Sequence, residues 1–203
     1  MRRTAFLVDR FSDAITEAQG LVSLAESSTN FTFANRCYVY EAAYLLIFSA
    51  WEGFLEEAMI RFIAGYGNSL GSVPLQPGKV RCQNIAAARS ALFGSRSFLL
   101  WHSPDKPIDR SKLWFVNGPH EMVISSAQSY IENFAAIRHY VAHRSPDCAS
   151  KFESAALALS GVQPLGSRAG RFLRRSTSVG GRTVPWIDRI GNDLLGYATQ
   201  IAG

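Results

Sequence analysis

The chain has 203 residues, 47% of them hydrophobic, enough to bury one substantial core within the usual span of a single domain. Three cysteines (Cys37, Cys82, Cys148) lie far apart with no C-x-x-C pair, which fits reduced thiols of a cytosolic compartment rather than a disulfide framework or a zinc knuckle. The formal charge of +5 is unevenly spread: residues 1–60 hold four basic and eight acidic side chains, whereas residues 61–203 hold seventeen basic and eight acidic ones.

Helical spacing of leucine, alanine and aromatic residues runs through most of the chain and sustained period-two alternation is absent, so the expected fold is all-α: one helical-bundle domain over residues 1–203. Arg2 and Arg3 are followed by Asp9, Asp13 and Glu17, which leaves no secretory apolar segment. A first helix is expected over Thr4–Ser27, with Phe6, Val8, Phe11, Ile15, Ala18 and Val22 on or near one face. Asn35 should cap a long second helix, Arg36–Ala64, apolar on nearly every side and therefore central to the bundle. Its apolar run from Ala42 to Trp51 is about half the length of a membrane span and is closed by Glu41 and Glu52, so no membrane partner is expected.

Between Gly65 and His120, glycines and prolines punctuate two long connections, 65–83 and 101–120, separated by a short helix near Asn84–Phe93. Trp101, Trp114 and Phe115 argue against disorder there, being large enough to be packed or used for stacking. A helix over Glu121–His143 carries the stripe Tyr130, Phe134, Ile137 and Val141 and stops at Pro146. Ser145 as cap and Pro146 in the first turn open the next helix, to about Leu159. A basic loop, Gly161–Arg182, then holds Arg168, Arg171, Arg174, Arg175 and Arg182 with no acid from 166 to 182, a charge cluster that suits either a polyanion or plain solvation. Val184–Ile201 should form the last helix.

Chemistry concentrates at Arg138-His139-Tyr140-Val141-Ala142-His143. Arginine keeps its charge and offers a planar fork of donors to phosphate oxygens, and histidine exchanges a proton near neutrality, a combination suited to phosphodiester cleavage. Five positions along an ideal helix rotate Arg138 and His143 about 140° apart, so a shared site needs a loosened last turn, the reach of Arg138, or a second copy facing the first. His139 and His143, four apart, lie on one face. Their spacing also suits a metal, but the intervening Glu of H-E-x-x-H is missing. Glu52, within the apolar second helix, either joins an exposed stripe with Ser49 and Glu56 or meets a cation, Arg138 or His139 being the favoured partners.

Arg138, His139 and His143 resemble the signature of the HEPN superfamily, an Arg, four to six residues and a His, often with a polar residue directly after the Arg. The segment Phe48-Ser49-Ala50-Trp51-Glu52-Gly53-Phe54-Leu55-Glu56-Glu57 is similar to the second-helix segment of the RiboL-PSP-HEPN and related bacterial families. Where some toxin branches place a tyrosine two residues after the His, this chain has Ser145.

The resemblance implies a metal-independent endoribonuclease with no cofactor. It would act on RNA as a homodimer, in a toxin–antitoxin or phage-defence setting with an antitoxin or defence-system partner. In that reading His143 moves a proton at the ribose 2′-OH or the leaving 5′-oxygen, Arg138 stabilises the pentavalent phosphate, and His139 and Glu52 position these groups. Arg144, Arg168, Arg171, Arg174 and Arg175 hold the RNA backbone, and the loop tryptophans stack its bases. The alternative within the same resemblance is a catalytically inactive helical module that binds a protein or nucleotide.

Overall fold

The computed structural model describes residues 3–164, 166 and 168–203, so Arg2 of the N-terminal basic pair and Leu165 and Ser167 of the basic segment lie outside the described residues. In chain order its elements are α1 (Phe6–Ser27), α2 (Phe33–Ile63), β1 (Gly67–Asn68), β2 (Gly71–Ser72), α3 (Ile85–Phe93), α4 (Asp105–Trp114), α5 (Pro119–Ser126), α6 (Gln128–His143), α7 (Pro146–Ser160), α8 (Ala169–Arg174), β3 (Ser176–Val179), β4 (Arg182–Pro185) and α9 (Trp186–Ala202). The chain is mainly helical, as its periodicity predicts. No helix among the described residues is long and apolar enough to cross a membrane.

Helix ends follow local chemistry. The Asn84 side chain accepts a hydrogen bond from the Ala87 N–H at 2.8 Å, and Ser145 accepts one from Cys148 at 3.2 Å with Pro146 in the first turn. Helix α2 starts one turn earlier than expected, because Thr32 rather than Asn35 is the cap: its hydroxyl accepts from the Asn35 N–H at 3.2 Å. The expected 101–120 loop is largely helical. Pro104, Pro107 and Pro119, read as breaks, sit at or beside first turns, where the missing N–H has no intrahelical partner to lose.

The expected continuous helix 121–143 is interrupted at Ala127, whose N–H bonds to the Ile124 carbonyl three residues back while the Ser126 hydroxyl takes the Val123 carbonyl. The expected basic loop also contains regular structure, α8 and an antiparallel hairpin of β3 with β4. Its two-residue turn is Gly180-Gly181 (φ 55° and 79°), where left-handed backbone at both positions matches strand twist and favours glycine.

The chain divides into two compact units interleaved in sequence, Met1–Phe11, Trp51–Gln128 and Leu195–Gly203 in one, Ser12–Ala50 and Ser129–Leu194 in the other. In the first, Trp51 stacks on Phe54 (centroids 5.7 Å) and Phe11 contacts both rings. Chain ends are tied together there, as the buried Thr4 hydroxyl donates to the Ala202 carbonyl at 2.9 Å and Asn68 donates to Ile201. Trp101 and Trp114 are buried in this unit, each with a cation against its ring (Arg110 at 4.6 Å, Lys79 at 4.6 Å), and the Trp101 indole N–H donates to Glu56. Rings sealed in this way do not offer the base-stacking faces expected of them.

The second unit contains α6, α7, α8 and both ends of the basic segment. A ladder of rings, Tyr140 on Phe152 (4.9 Å), Phe152 against Phe172 (6.2 Å) and Phe172 on Trp186 (5.3 Å), ties α6, α7, α8 and the start of α9 together. Buried positions 37, 41, 44 and 48 of α2 form a stripe at spacings of four, three and four, and the Tyr44 hydroxyl donates to the Phe134 carbonyl of α6 at 2.8 Å. Contrary to an all-round buried helix, Tyr38 and Leu46 are about half exposed, and with Ala42 and Ser49 they mark an open stripe.

Candidate functional site

Helix α6 keeps its geometry to the last residue of the Arg-to-His segment: the Arg144 N–H still reaches the Tyr140 carbonyl at 3.0 Å. Only then does the chain turn, through a left-handed Arg144 (φ 49°), before Ser145 caps α7. The last turn therefore does not loosen, and the ideal-helix offset of about 140° between Arg138 and His143 persists. The imidazoles of His139 and His143 meet on one face, with ring centroids 5.9 Å apart and planes 29° apart.

Burial differs along this segment. Arg138 and His139 are half-buried and His143 is exposed. Burial, and after it the charges of Arg138, His143 and Lys151, push His139 below the usual histidine range, which leaves it neutral at neutral pH and able to accept a proton. The guanidinium of Arg138 acts inward as well: its charge opposes the burial that drives the Tyr44 phenol far above its ordinary range.

A residue not singled out as functional holds the end of α6 in place. Glu41, almost fully buried on α2, accepts a hydrogen bond from the Gly170 N–H of α8 at 3.0 Å through one oxygen and pairs with Arg144 through the other. A carboxylate in such a place needs these partners. Gly170 itself has no room for a side chain, since a Cβ there would lie 2.0 Å from the Cys37 carbonyl oxygen. The sequence signal was present: Glu41 occupies a polar position in the Cys37, Tyr44, Phe48 stripe.

The expected RNA-holding arginines fall into two groups. Arg174 is taken up by a two-point pair with Glu26 (2.5 and 2.9 Å), which lowers the Glu26 carboxyl below its usual range, and Arg144 is committed to Glu41. Arg168, Arg171 and Arg175 are exposed. Arg144 and Arg168 both lie against the half-exposed ring of Tyr38, at 5.7 and 5.6 Å, so the residue after His143 and the first arginine of the basic cluster share one aromatic neighbour.

Glu52 belongs to the other unit and is half-buried, with His102 Nδ1 4.0 Å from its Oε1; sequence reasoning gave His102 no role. The exposed Ser49, Glu52, Glu56 stripe is not formed, because Glu56 is bound by Arg89 at 2.8 Å and by Trp101 at 2.9 Å. Among the described residues no group of three or more His, Cys, Asp and Glu side chains is arranged to hold a metal. No family model matches this chain, and no curated protein or solved structure does either.

Proposed function

We propose that the protein is a metal-independent endoribonuclease of HEPN type, cutting RNA through attack of the ribose 2′-OH on the adjacent phosphate to leave 2′,3′-cyclic phosphate and 5′-OH ends. The observation that carries the reading is the His139–His143 pair on one face of the end of α6, one imidazole half-buried and held below the usual histidine range, the other exposed. A neutral imidazole beside an accessible one suits removal of a proton from the nucleophile and delivery of one to the leaving oxygen. Arg138, directly before His139, supplies fixed positive charge for the developing phosphorane.

Because α6 stays helical through His143, a homodimer supports convergence of Arg138 and His143 better than one chain does. The exposed Tyr38, Ala42, Leu46, Ser49 stripe of α2 offers an apolar face for that second copy. A toxin–antitoxin or phage-defence role follows from the same resemblance. The test is incubation of total RNA with the protein and its His143→Ala variant in EDTA, followed by analysis of the ends. Metal-free cleavage that is lost in the variant supports the proposal, and cleavage that survives the variant contradicts it.

The second reading, a catalytically inactive helical module binding a protein or nucleotide, is favoured by one observation: the offset between Arg138 and His143 around a regular helix. Absence of cleavage with both residues intact, in a protein shown to be dimeric, would decide for it.

A further inference from the structure

Within the first unit, residues 95–100 and helix α4 line an open groove of about 630 Å³, inside the range of about 300–1,000 Å³ typical of ligand sites. Burial alternates along Phe98, Leu99, Leu100 and Trp101: the first and third are 70% and 44% exposed, and the second and fourth are buried. That is the in-and-out pattern of a strand. Among the described residues no strand pairs with it, and the N–H groups of Phe98, Leu99 and Leu100 donate to no other protein group. Unpaired backbone donors beside exposed apolar side chains form a template that an added extended chain completes. The groove also carries Arg96, Lys106 and Arg110 and, among the described residues, no carboxylate. Lys106 is paired with Asp105 at 2.8 Å, whereas among the described residues Arg96 and Arg110 have no ion-pair partner. Arg110 is fixed in place, donating to the Leu100 carbonyl at 2.5 Å and lying 4.6 Å from the centre of the Trp101 ring. Burial first, and next the charge of Arg96, push Arg110 below its ordinary value, so the two guanidinium groups lie close enough to repel and a carboxylate between them would relieve both.

We propose that this groove docks an extended acidic segment of a partner protein, its backbone bonded to the 98–100 stretch, its apolar side chains on Phe98 and Leu100 and its carboxylates at Arg96 and Arg110. Three features of one surface, free backbone donors, exposed apolar side chains and unpaired cations, are each answered by such a segment. An RNA strand would answer the cations but leave the aliphatic side chains of Leu99 and Leu100 without a partner. The groove shares no residue with α6 and does not depend on cleavage there.

The experiment is a fluorescence-anisotropy titration of the full chain with a labelled octapeptide alternating glutamate and valine. Its controls are the same peptide with lysine for glutamate, the same peptide N-methylated at alternate residues, and a short single-stranded RNA. The glutamate peptide should bind, and both peptide controls should bind at least about tenfold more weakly. Arg96→Glu should weaken the glutamate peptide at least about tenfold and strengthen the lysine peptide, and Phe98→Ser should weaken both. These two side chains are exposed, so thermal melting should stay unchanged in either variant. Arg96→Glu should also leave RNA cleavage as it is in the unaltered protein, which separates this proposal from the nuclease reading. No binding of the glutamate peptide, equal binding of the lysine or N-methylated peptide, or binding indifferent to both substitutions would overturn it. RNA that displaces the glutamate peptide and is itself lost in Arg96→Glu would overturn it too, giving the cations to a nucleic acid.

Discussion

His120 and the His139–His143 pair set the same side chain in opposite surroundings. His120 is fully buried, edge-on to Phe62 at 5.9 Å, with Nε2 donating to the Leu55 carbonyl at 2.9 Å, and burial pushes it down to about 4. A proton on its other nitrogen would place a charge where no solvent reaches. His143 stands exposed at a helix end, and His139 is only half-buried beside it. An imidazole locked into a core serves as a packing group with one hydrogen bond, whereas one at an open surface can trade protons with a ligand.

That contrast breaks most visibly in catalysis. His143→Ala should lower single-turnover RNA cleavage by about 10²- to 10⁴-fold, the range for a positioned acid or base, while His120→Gln leaves the rate near that of the unaltered protein. Equal losses in both variants would erase the distinction. Next in size is acid stability. Because the folded value for His120 lies below the ordinary 6.5, the unfolded chain takes up the proton first. The contribution of His120 is therefore complete above about 6.5 and lost as pH falls toward about 4, to a total of about 3 kcal/mol. Urea unfolding at pH 7, 5.5 and 4.5 should show this decline, and His120→Gln should flatten it.

Smaller again is the latch below α6. Glu41→Ala leaves the Gly170 N–H without its acceptor, and thermal unfolding should register a loss of about 2 kcal/mol. Unchanged stability would show that Glu41 does not hold α8 to α2. The smallest effect concerns the charge around His139. Lys151→Gln removes one of the charges that depress His139, so the His139 titration followed by NMR should move upward while that of His120 stays put.

Much of this layout was legible because it is local. Asn84 and Ser145 announce their helices through hydrogen bonds made within three residues, Pro146 marks a first turn, and the four-residue spacing of His139 and His143 puts them on one face wherever the helix lies. Other features depend on choices that neighbours cannot make. Thr32 and Asn35 are both competent caps, and it is the Thr32 hydroxyl that accepts the Asn35 N–H. Pro104, Pro107 and Pro119 read equally as breakers and as openers. The Gly180-Gly181 turn between short β-branched runs was a hairpin signal obscured by the surrounding charge.

The site was readable in part for the same reason. Glu41 as the partner of Arg144, 103 residues away in sequence, and Glu26 as the partner of Arg174, 148 away, are tertiary facts that no spacing rule anticipates. They change the meaning of the expected RNA contacts, since Arg144 and, within the basic cluster, Arg174 are committed to carboxylates. Loop tryptophans posed the converse problem: size alone marked them as packed or as stacking surfaces, and burial chose packing.

The most direct test replaces a single ribose at a mapped cut site with its 2′-deoxy counterpart and follows cleavage of both oligonucleotides in EDTA. The all-ribose strand should be cut to a 2′,3′-cyclic phosphate and a 5′-OH, with no cutting at the substituted position. Cleavage of the 2′-deoxy site at a similar rate, or ends carrying a 5′-phosphate, would contradict attack by the 2′-OH.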